Sequence, residues 1–263
     1  TKFPNGMEYA RQTDIGKAAC TGDWLFYIQS DEVVHEKYLP EIKQRCADHM
    51  HNVEVEGFLF RYLHFWGDYD HVVVSHALYP REIRIIRNDQ EIHSWRDAQS
   101  FRRIPGFDNV SYYQRSGTRK LNVIALDACV YHYGFVRPPR LMQKKRKNHN
   151  TNYRGQESTT RLFGQAGSDF DYGDLSKLTL FEGTHPAVMK GFIRNFSWRD
   201  QLHYTAVKGA AKNKHEKLKY RVLTFFEQNV FGGRQLFGFK NYKVLKKLKS
   251  GYAREKRSLT ALS

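Results

Sequence analysis

GDWLFYIQSDEVVHE, residues 22–36, is the stretch on which the fold turns. Gly22 breaks the chain ahead of the apolar run WLFYI (24–28). A run that short, bounded by turn signals and rich in aromatics, reads as a fully buried strand and not as a helix. It stops abruptly at Gln29, Ser30, Asp31 and Glu32. A strand ending in an acidic cluster puts carboxylates at the carboxyl edge of a sheet, where open α/β sheets bind ligands. Carboxylates in such a place hold Mg²⁺ or Mn²⁺ bridged to substrate phosphates. Equally, Asp31 and Glu32 would suit the N-terminus of a following helix, where negative charge is favourable. Spacing leaves both readings open.

Outward from this stretch the pattern is mixed α/β. Residues 7–20 (MEYARQTDIGKAAC) carry a rough apolar helical face weakened by Gly16. Leu39, Ile42, Cys46 and Met50 fall three or four apart and predict a helix over 37–51, with Pro40 in its first turn. The segments 53–65, 81–87 and 121–131 are enriched in β-branched and aromatic residues and read as strands. Residues 137–175, rich in Asn, Gly, Arg and Ser, read as a long loop. Thr184 or His185 is positioned to cap a helix that Pro186 opens. Residues 199–231 read as largely helical, and 240–257 as an amphipathic basic helix. The aromatics Phe58, Phe60, Tyr62, Phe65 and Trp66 are read mostly as core.

Composition narrows the function classes. In a chain of 263 residues with net charge +16, the excess is not spread evenly. Residues 1–136 hold 16 basic and 18 acidic side chains, whereas 137–154 hold seven basic and none acidic, and 240–263 hold eight basic and one acidic. An anionic partner is therefore expected at one segment and one tail. No apolar run approaches the roughly 20 residues that span a bilayer, and the first residues lack a signal-peptide pattern. Cys20, Cys46 and Cys129 make neither a disulfide framework nor a metal knuckle, so a reduced cytoplasmic protein is expected.

The order of motifs resembles the family-2 glycosyltransferases of the GT-A fold. The resemblance rests on ARQTDIG (10–16), GDWLFYIQSDE (22–32), SWRDAQSFR (94–102), VYHYGFVRPP (130–139) and HPAVMKGF (185–192), and covers most of residues 5–195. It implies a GT-A-type mixed sheet flanked by helices over residues 1–198, Rossmann-like, with a helical C-terminal extension over 199–263. The family places a βαβαβ segment before the first of these motifs, and the expectation is that it precedes Thr1. At the metal motif, Gln29 or Ser30 stands where the family commonly has an Asp that helps hold the nucleotide.

The activity implied is transfer of a sugar from a nucleotide-sugar donor to a hydroxyl, with inversion, in the assembly of cell-envelope polysaccharide or glycolipid. Asp31 and His132 are the implied ligands of Mn²⁺ or Mg²⁺, although a His between two tyrosines is more often a packed, hydrogen-bonded residue. Gln29 and Asp31 would face the nucleotide. Arg137 and Arg140 are the candidates for the diphosphate, since Arg offers bidentate recognition of oxygen. Asp97 is the candidate base, with Arg96 orienting the acceptor or holding Asp97 ionised, and with Asp89 and Glu91 as rival acids. An Asp97–Arg96 structural pair on a loop is the alternative. The acceptor would be a saccharide or lipid-linked saccharide, and the basic tail would dock the protein on an anionic membrane, on its inner face. Two other readings stand beside this one. A nucleic-acid-binding protein accounts for the charge without the SDE and HYG motifs, and nucleic acid is not the expected partner. A catalytically inactive scaffold of the same fold accounts for Gln29.

Overall fold

A computed structural model describes residues 4–205, 212–238 and 240–245. Its helices are α1 (Met7–Ala18), α2 (Leu39–Asp48), α3 (Pro139–Phe163), α4 (Lys190–Arg194) and α5 (Leu218–Asn229). Its strands are β1 (Trp24–Phe26), β2 (Glu32–Val34), β3 (Gly57–Trp66), β4 (His71–Val72), β5 (Arg81–Arg87), β6 (Ile92–Trp95), β7 (Ser100–Arg103), β8 (Arg119–Phe135), β9 (Thr179–Leu180) and β10 (Tyr242–Val244). The main sheet runs β1-β5-β3-β8-β7-β6, with β2 and β10 also pairing with β8. This is a mixed α/β fold. Among the described residues no helix is long and apolar enough to cross a membrane.

β3 and β8 are its axis. Nearly every residue of β3 is buried, as expected of a strand covered on both faces. Successive side chains alternate, so Phe58, Phe60 and Tyr62 join the cluster of Ile42 from α2, while Leu59 joins Leu25, Ile83 and Phe101. Phe65 and Trp66 are buried in a third cluster with Tyr131 and Tyr133. β1 is antiparallel to β5, β5 antiparallel to β3, and β3 parallel to β8. The strands β1, β3 and β8 therefore point the same way, and their carboxyl ends share one edge of the sheet.

Several sequence expectations are corrected. β1 is not fully buried: Leu25 is, but Phe26 is 42% exposed, because β1 ends the sheet and pairs with β5 on one side. The 137–175 loop is mostly α3, whose first arm starts at a Pro and meets no Gly or Pro until Gly155, where φ is +83° and the helix kinks. His132 lies inside β8 and not beyond a strand ending at 131. Neither Thr184 nor His185 caps the short helical turn at Ala187–Met189. Instead the Thr184 hydroxyl bonds His35, and His185 bonds the Tyr133 hydroxyl. The extension from 199 is helical only at α5 and two single turns among the described residues. The tail begins as β10, parallel to β8, so it is a strand there and not a helix, and 246–263 lie outside the described residues.

β5 carries a buried carboxyl with a pH consequence. Glu82 is 2% exposed and accepts from the Gln99 side chain at 3.2 Å. Burial pushes its pKa from 4.5 up to about 8, against the pull of Arg84. The folded chain therefore holds a proton that the unfolded chain has released. Its contribution to stability is whole below about pH 4.5, falls as pH rises towards 8, and levels off above. The Glu82→Gln variant is expected to remove a slope of up to about 1.4 kcal/mol per pH unit in that window. Denaturant melts of both proteins at pH 5 and pH 8 check this, and parallel pH profiles would refute it.

Candidate functional site

A cavity of about 880 Å³ opens at the carboxyl end of β1, within the size range of small-molecule sites. Gln29, Asp31 and Asp97 all line it, although they come from different parts of the chain. α1 supplies one wall through Gln12, Thr13 and Lys17, and α3 reaches in through His149 and Tyr153.

Asp31 and Glu32 are adjacent in sequence and opposite in role. Glu32 opens β2 and turns inward, 4% exposed, where the Arg84 guanidinium grips it through Nε at 2.9 Å and Nη2 at 2.7 Å. The Tyr62 hydroxyl donates to Glu32 at 2.7 Å. Its carboxylate also accepts from the Gln29 backbone N–H at 3.2 Å, which ties down the turn that carries Asp31. Neither residue caps a helix, because β2 intervenes before the helical turn at Glu36–Tyr38, which is capped by His35. The capping alternative thus falls away.

Asp31 stays at the cavity. Its backbone carbonyl accepts from the Tyr133 N–H at 2.8 Å, pinning it beside the end of β8. Lys145 Nζ donates to Asp31 Oδ2 and to the Gly134 carbonyl, both at 2.8 Å. Burial opposes ionisation of Asp31, but Lys145 and Arg137 hold its carboxyl below the ordinary range. Sequence reasoning does not single out Lys145, since it lies on the helix that reads as a loop; the unbroken run from 140 to 154 is the available signal.

His132 has a fixed tautomer. Its partner across the β3–β8 pair is His64, whose Nε2 lies 2.8 Å from the Tyr79 carbonyl and must donate to it. Burial drives the His64 pKa down to about 3, so that ring is neutral and its Nδ1 accepts. His132 Nδ1 therefore donates across 3.1 Å, which leaves the Nε2 lone pair facing Asp31 Oδ1 at 3.8 Å. Burial also lowers the pKa of His132 and keeps it neutral.

The Asp31 and His132 side chains both pack closely against Gly134. A Cβ on Gly134 would lie 2.4 Å from His132 Nε2 and 2.8 Å from Asp31 Oδ2. A carboxylate and a neutral imidazole 3.8 Å apart suit Mn²⁺ or Mg²⁺, with imidazole favouring Mn²⁺. The described residues contain no group of three or more His, Cys, Asp or Glu placed to hold a metal. A two-donor set leaves the other positions to water and substrate oxygens, as is usual for phosphate-bridging cations.

Asp97 sits in the turn 96–99 that joins β6 to β7. Both neighbours, Arg96 at φ +63° and Ala98 at φ +62°, are left-handed without being glycine. Such strain persists where surrounding structure over-determines it and is concentrated at functional sites. Tyr153 of α3 donates a short hydrogen bond to Asp97 Oδ2. Burial, then the bond to Asp97, raise the Tyr153 pKa far above its usual value, so the phenol remains a donor. His149 stacks on Tyr153, with centroids 4.4 Å apart. Arg96 lies over the Trp95 and Tyr113 rings. The rival acids Asp89 and Glu91 bind Arg103 at 2.6 and 2.7 Å and do not line the cavity.

The two candidate phosphate arginines separate. Arg137 is half-buried, acts on the charge of Asp31, and has its Nε buried without a hydrogen-bond partner. Arg140 is exposed on the first turn of α3, and the cavity lining includes neither of these arginines, nor His132 or Lys145. Lys145, one further turn along the same helix, takes the place beside Asp31. Comparison with protein-family models gives no match for this chain, and comparison with curated proteins gives none either.

Proposed function

We propose that this chain is an inverting glycosyltransferase of GT-A type, moving a sugar from a nucleotide-sugar to a hydroxyl of a saccharide acceptor. The observation that carries the reading is the placement of Asp31, beside His132, in the same cavity as Asp97. Asp31 and His132 would hold Mn²⁺ or Mg²⁺. When bound, such an ion supplies charge to a departing diphosphate.

The chain's own residues do the rest. Arg137 and Lys145 offer the diphosphate one guanidinium and one ammonium, which stabilise the negative charge that grows on it. Lys145 is tied to Asp31 and to a backbone carbonyl, so it is preorganised and needs no search for position. Gln29, whose backbone is fixed by Glu32, faces the nucleotide side of the cavity. Asp97 accepts the proton of the attacking hydroxyl, and Tyr153 keeps one carboxylate oxygen engaged so that the other is directed to the acceptor.

A thermal-shift screen of the full chain with UDP- and GDP-sugars, with and without Mn²⁺, tests the proposal. A donor at about a hundredfold its Kd adds about 2.7 kcal/mol, a rise of roughly 5–10 °C for a domain of this size. The rise should require both metal and nucleotide. It should disappear in Asp31→Asn and in Gly134→Ala, whose methyl would push the His132 ring out of place. No rise with any donor would overturn the reading.

A further inference from the structure

α5 is amphipathic in the inverted sense. Its polar residues face the protein: the Thr224 hydroxyl accepts from the His76 N–H at 2.9 Å, and Glu227, 3% exposed, bonds His76 Nδ1 and the Leu236 N–H, each at 2.6 Å. Tyr220 stacks on His76 from the same side. Its apolar residues face outward. Leu218, Val222, Phe225 and Phe226 follow the i, i+4, i+7, i+8 spacing of one helical stripe, and all four are 45–74% exposed. Val230 and Phe231 extend the stripe, and Phe237 stands 95% exposed just beyond.

A stripe of this kind on a water-soluble surface calls for a partner. Charge says which one. Lys217, Lys219, Arg221 and Arg234 are exposed around the stripe. Of the two acids in 212–238, Glu227 is buried against His76 and Glu216 is engaged in a capping box with Asn213. An apolar stripe with aromatics, bordered by cations, matches a helix lying in the plane of an anionic membrane interface. Its long basic side chains can reach the headgroups while the rings enter the acyl boundary.

We propose that α5 is a membrane-docking helix, which inserts Val222, Phe225 and Phe226 into an anionic bilayer and holds headgroup phosphates with Lys219 and Arg221. The inference stands apart from the transferase reading, since its test does not involve activity. It adds a docking surface to the one expected in the tail, of which 246–263 lie outside the described residues.

Flotation of the full chain with phosphatidylcholine vesicles containing about 30% phosphatidylglycerol is the test. The chain is expected to float with these vesicles and to be released by high salt. Combined Val222→Ser, Phe225→Ser and Phe226→Ser should weaken partitioning roughly tenfold or more. Lys219→Gln with Arg221→Gln should weaken it about fivefold per charge. Because the altered apolar side chains face outward, the melting temperature should hold. Phe225→Trp offers a second readout that loses no apolar contact: brominated lipid should quench its fluorescence beyond the wild-type background. The proposal is overturned if the chain does not float, if the triple variant floats as well as wild type, or if the Phe225→Trp variant is quenched no more than wild type. Loss of a solution dimer in the triple variant with vesicle binding intact would also overturn it and assign the stripe to a second copy.

Discussion

Asp97→Asn is expected to lower turnover about 10²- to 10⁴-fold while leaving donor binding, read by thermal shift, within about twofold of wild type. The asymmetry follows from the site. Asparagine keeps the size of the side chain and an oxygen to accept from Tyr153, so the turn and the wall it forms should persist. What disappears is the proton sink that an attacking hydroxyl needs. Asp97 is also separated in sequence from the turn carrying Asp31, so its loss should leave the metal and diphosphate positions alone. The geometry around Asp97 is tightly determined. Two left-handed non-glycine residues flank it, Ala98 is 1% exposed, and the Arg96 N–H is held by the Tyr112 carbonyl at 2.9 Å. Gly6 at the start of α1 closes the arrangement, since a Cβ there would lie 2.9 Å from the Asp97 Cβ and 2.6 Å from the Tyr153 ring. Steady-state kinetics with the donor found in the screen decide the matter. Turnover within tenfold of wild type would remove Asp97 from the role of base.

The second large effect is on stability. Arg84→Met should destabilise the fold by about 3–5 kcal/mol, because it leaves the Glu32 carboxylate buried without its cation. Both side chains of this pair are almost wholly buried, and the guanidinium also lies about 5 Å from the Tyr27 and Tyr62 ring centres. The companion Arg84→Met with Glu32→Met removes both charges. It should recover most of the loss, since a buried pair replaced by apolar groups of similar volume is often close to neutral. Urea unfolding of the two single variants and the double variant gives the coupling directly, and a double variant as unstable as Arg84→Met would contradict this account. The double variant should still bind the donor poorly. Glu32 holds the Gln29 N–H, and without that bond the turn that presents Asp31 loses an anchor.

What is legible in the sequence follows from range. The β-branched and aromatic enrichment that marks β3, β5 and β8 and the three-to-four spacing that marks α1 and α2 are carried by residues close in the chain, and the apolar run 24–28 ahead of Asp31 marks a sheet edge without reference to any partner. Those features put Asp31 just past a strand, but they end a strand before His132, which lies inside β8, and they give neither β6 nor β7, whose connecting turn carries Asp97. α3 escapes such a reading because Asn, Arg and Lys dominate its composition and hide the absence of a helix breaker before Gly155.

The sequence by itself determined that there is a mixed α/β core with a carboxylate at the end of its first strand. Tertiary structure decided which of two neighbouring carboxylates faces the cavity. Glu32 enters a strand and meets Arg84, 52 residues away, while Asp31 stays in the turn and meets Lys145, 114 residues away. The His132 tautomer likewise depends on His64, brought opposite it by a register set 68 residues apart. The outward stripe of α5 has the same origin. Its spacing is visible in the chain, but which face turns to the protein is settled by His76 and Glu227, 151 residues apart. Side-chain spacing along a segment is local information, whereas charge partners, tautomers and exposure are set by strand register and helix docking, which no segment encodes alone.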